Sequence, residues 1–303
     1  MTVPRRRPRS LQRSESTLTT DLTLATRGSK LALVQSQHVA AAITQSFPDV
    51  TVRLLTIETT GDQDRTTAVT ELTELGAFVR SVQAAVLDGR ADLAVHSAKD
   101  LPVAGPDGLI SFYPTRGDAA DALVGASLEG LPTGATVGTG SPRREAQLRD
   151  LRADLHVVPI RGNVDTRVSL ATGGSLDAVV LAVAGLDRVG LSGHISHRFS
   201  TQEMVPAPAQ GALSIETRPA TLAAEIAASL EDGETRAAVD AERSLLEITG
   251  AGCRSALGAF ARVKGDRLAM DAFVSDERGC RRTFVEADDP IALAKMAMQE
   301  LGL

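Results

Sequence analysis

Four stretches of this 303-residue chain set charged or nucleophilic side chains beside glycine, where a strand reads as giving way to a helix or a helix ends. In Ala25-Thr26-Arg27-Gly28-Ser29, Arg27 stands next to backbone N–H groups that have no intrahelical partner, a corner that attracts anions. In His96-Ser97-Ala98-Lys99-Asp100-Leu101-Pro102, Lys99 offers a point charge to a carboxylate, and Asp100 can accept a pyrrole or amide N–H and stabilise a nearby cation. The same pair also fits a surface salt bridge, and His96 fits a packed strand residue. Gly138-Thr139-Gly140-Ser141-Pro142-Arg143-Arg144 is followed by Arg161-Gly162-Asn163-Val164-Asp165-Thr166-Arg167, so two corners present four arginines together. Guanidinium grips carboxylate in a bidentate fork, which makes this part of the chain a receptor for several carboxylates or phosphates. Two arginines at a helix start oppose the helix dipole at a cost of up to about 1 kcal/mol, and a bound anion would relieve that conflict. Last, Gly250-Ala251-Gly252-Cys253-Arg254 leaves a thiol accessible beside a charge that favours the thiolate. Cys280, between Gly279 and Arg281, has similar local charge, and local sequence alone does not decide between the two cysteines.

Other chemistries lack their signals. No Gly-rich run matches a phosphate-binding nucleotide loop, and neither H-E-x-x-H nor G-x-S-x-G occurs. Two distant cysteines without C-x-x-C spacing make neither a disulfide framework nor a zinc ribbon, which fits a reducing compartment. The first twenty residues hold five arginines and one glutamate; this +4 against a total of −6 leaves −10 on the rest. A surface for duplex nucleic acid is therefore not expected, and basic clusters in the body must serve something local. The basic leader reads as a disordered tail, with an organelle transit peptide as the alternative. No apolar run reaches the roughly 18–20 residues of a membrane helix.

The elements that must position these residues follow from periodicity. Residues 22–26 read as a strand, and Ser29 caps a helix running to about residue 43. Strands are expected at 52–58 and 91–97, with a helix at 78–87 between them. Residues 96–102 then fall at a strand's C-terminal end, where open α/β sheets bind ligands. A second cycle begins near Asp121, with strands at 135–139, 155–160 and 176–184. Ser141 is an N-cap, Pro142 the first helical residue, and a short helix follows Asn163. After the proline-rich residues 206–211 comes a strand at 212–216. A helix at 235–248, two strands joined around Lys264-Gly265-Asp266 and a helix near 291–301 form a smaller α+β unit. The alternation indicates parallel α/β units.

Taken together, the segments ATRGSKLAL, TTGDQDR, ADLAVHSAKDLP, GTGSPRREAQL, PIRGNVDTR, LDAVVLAVAGLDRVG, PAPAQGALSIE and GAGC resemble, in order and spacing, the porphobilinogen deaminase (hydroxymethylbilane synthase) family. The resemblance implies an α/β fold of two periplasmic-binding-protein-like domains forming a clamp, plus a small α+β C-terminal domain. The implied division is residues 21–115 with 211–230, residues 121–207, and residues 234–303. It implies a dipyrromethane cofactor in thioether linkage to Cys253, and Asp100 as the catalytic aspartate. Lys99, Ser97, Thr139, Ser141, Arg143, Arg144 and Arg167 match positions that contact the cofactor. Arg27, Ser29, Arg161, Arg167 and Gln210 match positions for the substrate, porphobilinogen. Four substrate molecules would be joined with loss of ammonia and hydroxymethylbilane released by hydrolysis, in tetrapyrrole (heme) biosynthesis. No metal, nucleotide, nucleic acid or membrane is implied, and a cytoplasmic monomer is expected.

Three positions depart from the family pattern. Residues 74–77 (ELGA), expected in a loop before Phe78, lack the lysine some relatives carry, Gly140 replaces a frequent hydroxyl residue, and Ala209 replaces a frequent glycine. Two other readings remain: an anion-binding receptor of the same fold, which has no need of a thiol facing its cleft, and a family member that loads its cofactor but turns over poorly.

Overall fold

Leu22 and Leu24 lie buried on one face of β1 (Thr20–Arg27), and Ala25 is buried on the other, so this strand must be covered on both sides. In the computed structural model, which describes residues 20–57, 71–250 and 256–303 and only the backbone of 71–78, two helices provide that cover. Val39 and Ile43 of α1 (Lys30–Ser46) pack on Leu22 and Leu24. Val82, Ala85 and Val86 of α2 (Glu71–Leu87) pack on Ala25 from the opposite side. Around β1 runs a five-stranded sheet in the order β2 (Val50–Ile57), β1, β3 (Leu93–Ser97), β10 (Leu213–Thr217), β4 (Ile110–Phe112). An eight-residue helix, α6 (Leu222–Ser229), adds Ala223, Ile226 and Ala227 to the α1 side.

A second five-stranded sheet repeats the plan: β7 (His156–Val158), β6 (Thr136–Gly138), β8 (Ala178–Ala182), β5 (Asp121–Gly125), β9 (Ile195–Arg198). Its helices are α3 (Pro142–Leu151), α4 (Val164–Thr172) and α5 (Val183–Arg188). Leu123, Val137, Leu148 and Phe199 fill one side, and Val124, Val168, Leu181 and Leu186 the other. The remaining chain forms an antiparallel meander, β11 (Ala256–Lys264), β12 (Arg267–Asp276) and β13 (Gly279–Ala287). It is backed by α7 (Gly233–Thr249) and α8 (Pro290–Glu300) around Leu245, Met270 and Leu293. Arg282 ties this meander to α3, donating to Gln147 Oε1 at 2.8 Å and Asp150 Oδ2 at 3.0 Å.

The chain passes between the two larger sheets twice, from β4 to β5 and from β9 back to β10. Both passages meet at Glu242 of α7, whose side chain is fully buried. Its carboxylate accepts both fork nitrogens of Arg116, at 2.7 and 3.0 Å, together with the backbone N–H of Ala209 and of Ala261. Arg116 also donates through Nε to the Gln210 carbonyl at 2.8 Å, and Gly117 N–H donates to the Gly211 carbonyl at 3.2 Å.

Several elements differ from the sequence expectation. Each large sheet is mixed, because the strands next to the passages, β10 and β5, run antiparallel to β3 and β8. Residues 74–77 continue α2 as helix instead of forming a loop. The run 176–184 divides into β8 and the start of α5, since an unbroken apolar run fits buried strand and buried helix alike. The C-terminal unit has three strands where two are expected.

Gly211 has φ of +90°, and a Cβ there would lie 2.5 Å from the Gly117 carbonyl oxygen. Gly134 has φ of +77° with open space around it. Gly134→Ala should therefore cost about 1 kcal/mol for the left-handed backbone alone, and Gly211→Ala about 3 kcal/mol once the clash is added. Denaturant unfolding of both variants measures the difference; equal losses would show that the two passages can move apart freely.

Candidate functional site

Between the two larger sheets lies a cleft of about 490 Å³, within the range of small-molecule sites. Its walls come from the corners the sequence singles out. β1 ends in Arg27, and Ser29 accepts from Ala32 N–H at 3.3 Å as the N-cap of α1, its backbone still extended where the helix begins. The buried strand β3 ends in a 3-10 turn over Ala98–Asp100, fixed by Ala98 N–H on the Ala212 carbonyl at 3.0 Å. That turn sends Lys99 and Asp100 to the cleft. From the second sheet come Arg144 on α3, and Gly162, Asn163, Asp165 and Arg167 around the N-terminus of α4. Arg167 Nε holds the Gly162 carbonyl at 2.8 Å.

Behind the cleft sits Asp121, fully buried at the start of β5. One oxygen accepts Arg144 Nε at 3.0 Å, Arg144 Nη2 at 2.7 Å and Gln210 Nε2 at 2.9 Å; the other accepts Arg143 Nη2 at 2.7 Å. Burial pushes the Asp121 carboxyl up, but the charges of Arg143 and Arg144 and the hydrogen bonds from Arg144 and Gln210 outweigh it. They hold it well below the usual carboxylate range. Gln210 passes the arrangement on: its Oε1 accepts Lys99 Nζ at 3.2 Å and Arg144 Nη2 at 3.5 Å. Burial lowers the Lys99 pKa to about 8, with Arg144 adding to the effect and Asp100 and Asp121 opposing it. Lys99 is thus a cation in want of an anion. Among the described residues the Asp100 carboxylate takes no hydrogen bond, which leaves its oxygens to the cleft.

Of the residues expected at the site, Arg27, Ser29, Lys99, Asp100, Arg144 and Arg167 line one cleft. Others stand elsewhere. Arg143, expected on the cofactor, is spent on Asp121 and the Val205 carbonyl, the latter at 2.6 Å, and does not reach the cleft. Gln210, expected on the substrate, is fully buried under Lys99. Ser97 exchanges hydrogen bonds with Gln35 at 2.9 and 3.3 Å, Thr139 accepts from Ser141 N–H at 3.2 Å, and Ser141 caps α3 by accepting from Arg144 N–H at 3.4 Å. These three shape the walls without lining the space. Arg161 is exposed beside the cleft. Cys253 and the TTGDQDR segment lie outside the described residues, and Cys280 is exposed on β13. Asp121, Lys30 and Asp165 were not singled out as site residues. The signal for Asp121 was the adjacent pair Arg143-Arg144 at a helix start, whose charge had to be met by some anion. Among the described residues no group of three or more His, Cys, Asp or Glu could hold a metal, and no helix is long and apolar enough to cross a membrane.

Residues 22–226 match the family model described as porphobilinogen deaminase, dipyromethane cofactor binding domain, and residues 236–302 match porphobilinogen deaminase, C-terminal domain. The porphobilinogen deaminase of Acidothermus cellulolyticus is 46% identical over 85% of this chain and 80% of its own length. That of Xanthomonas euvesicatoria pv. vesicatoria is 42% identical over 93% of this chain and 96% of its own length. Among solved structures, the substrate binding domain of a putative molybdenum ABC transporter from Clostridium difficile aligns with a TM-score of 0.45 at 10% identity. It covers 71% of this chain and 93% of that one.

Asp121→Asn removes the charge that compensates two buried guanidinium groups and should cost about 3–5 kcal/mol in denaturant unfolding. Because the folded carboxyl titrates below its unfolded value, this stabilisation is complete above about pH 4 and is lost as pH falls toward the folded value. The wild type should therefore weaken in acid more steeply than the variant; parallel acid profiles would remove Asp121 from this role.

Proposed function

The chain belongs to the porphobilinogen deaminase family, and from that premise we propose that it joins four porphobilinogen molecules head to tail on a dipyrromethane held as a thioether by Cys253, then releases hydroxymethylbilane by hydrolysis. The observation that supports this reading is that Arg27, Lys99, Arg144 and Arg167 line a single cleft together with the Asp100 carboxylate. The donor set fits the cofactor. Two linked pyrroles bring acetate and propionate groups for the cations, and ring N–H groups for Asp100. Lys99, held near pKa 8 by burial, gains from such an anion, since a carboxylate beside it favours the ammonium form and offsets the burial.

In this reading Lys99, Arg144 and Arg167 hold cofactor carboxylates, and Arg27 and Ser29, with Arg161 at the rim, take those of the arriving substrate. Arg143 and Gln210 act from behind, fixing Arg144 and Lys99 through Asp121. Ser97, Thr139 and Ser141 hold the strand ends and helix starts in shape. When bound, the dipyrromethane supplies an electron-rich pyrrole carbon as nucleophile. Asp100 does the protein's part of the chemistry. As the substrate's C–N bond breaks and ammonia departs with the bonding pair, positive charge spreads into the pyrrole ring. The carboxylate stabilises that charge and accepts the ring N–H. The proton displaced by the new C–C bond leaves to solvent or a nearby base, and a water molecule ends the final cycle. The working form we infer is a cytoplasmic monomer with porphobilinogen as its small-molecule partner and no nucleic acid. The −10 carried by residues 21–303 supports the last point.

Intact mass of untreated protein is the first check: it should exceed the sequence mass by two linked pyrroles, and Cys253→Ser should abolish the excess. An unmodified active protein would overturn the reading. Asp100→Asn should retain the cofactor mass and lose about 10²–10⁴ of turnover; turnover near wild type would take Asp100 out of the mechanism. Arg167→Ala should impair cofactor loading more than Arg161→Ala, read as the fraction of modified chain at a fixed time. The opposite order would put the cofactor nearer the rim than the floor.

A further inference from the structure

Lys30 occupies the first position of α1, where a positive charge opposes the helix dipole, and its Nζ reaches Asp165 Oδ1 of α4 at 3.3 Å. One helix belongs to the first sheet and the other to the second, so the ion pair spans the cleft that both residues line. The remaining charged lining groups are Arg27, Lys99, Asp100, Arg144 and Arg167, all of which have a part in the reading above. Asp165 has none, and an acidic side chain in a cleft for polycarboxylates is repulsive unless something neutralises it. We propose that Lys30 is a carboxylate-binding residue for the later rings of the growing chain, and that Asp165 is its internal counter-ion until one of those carboxylates displaces it.

This inference rests on the function proposed above and deepens it. Exchange is feasible because the pair is open to water: the two side chains are 58% and 45% exposed. An ion pair so placed contributes little and is screened by salt. A tethered chain holds its carboxylates at high effective concentration, so each added ring competes better for Lys30. The pairs at Asp121 differ in kind, since they are buried and their separation would strand charge in the interior. Loss of the Lys30–Asp165 pair also removes a direct link between the two walls, which lets them part as the chain lengthens.

The test uses the cofactor-loaded protein, limiting porphobilinogen and intact mass to resolve each added unit. Lys30→Gln should make the first addition at the wild-type rate and then accumulate one later intermediate about fivefold over wild type. Lys30→Arg should restore the normal distribution. Asp165→Asn should deplete that same intermediate, and should have no effect when Lys30 is already glutamine. A second readout is independent of turnover: calorimetric binding of benzenehexacarboxylate to the full chain without cofactor. Asp165→Asn should tighten it by about fivefold and Lys30→Gln weaken it. A distribution in Lys30→Gln that matches wild type, a stall at the first addition, or benzenehexacarboxylate binding indifferent to both residues would overturn the proposal. Wild-type protein that adds no units, while benzenehexacarboxylate responds as stated, would overturn the synthetic function and leave the exchange pair standing.

Discussion

Arg143 and Arg144 lie side by side in the protein interior, and a single carboxylate, Asp121, compensates both. Two buried guanidinium groups repel each other and lose their hydration, so the stability of this region depends on the anion. Asp121 meets the need with both oxygens and is itself satisfied by four donors. Arg144 is thereby fixed at the back of the cleft with a set orientation. The hydrogen bonds do not stop there. Gln210 joins Asp121 to Lys99, so the cleft floor contributed by the first sheet is positioned by a carboxylate that belongs to the second.

That connection depends on the chain crossing twice between the sheets. Asp121 is the first residue of β5 after one passage, and Gln210 lies on the other, just before β10. The neighbour of Gln210, Ala209, donates its N–H to Glu242, which draws the C-terminal unit to the same place. Ala209 adopts φ of 61°, a conformation that costs a residue with a Cβ about 1 kcal/mol or more, and the surrounding hydrogen bonds hold it there. Three parts of the molecule thus share two buried carboxylates, and the cleft lies where their influence meets. The exposed Lys30–Asp165 pair across the cleft is the weak counterpart of these strong links.

Much of this was legible in the sequence. Ser29 and Ser141 read as caps and Pro142 as a first helical residue, because N-cap and N1 chemistry is local, and they serve as such. The corners at Arg27, Lys99-Asp100, Arg144 and Arg167 read as anion sites, and they line one cavity. What sequence could not supply was the partner. The pair Arg143-Arg144 announces an uncompensated charge at a helix start, but a local pattern cannot say whether the compensating anion is a ligand or a residue 22 positions before the pair. Gln210 lies buried under Lys99, which is not legible for a related reason: its neighbours mark a passage, and local pattern does not give the depth at which the side chain lies. Strands of three residues such as β4, and the division of residues 176–184 into β8 and α5, are set by tertiary packing over weak local preference.

Positive charge on the cleft floor is held at a cost that a carboxylate-bearing cofactor would relieve. Titration of the Lys99 ammonium by NMR, in protein without the cofactor and again after loading from porphobilinogen, reads that cost. The pKa should lie near 8 in the unloaded protein and rise clearly on loading. Identical titrations in the two states would contradict it.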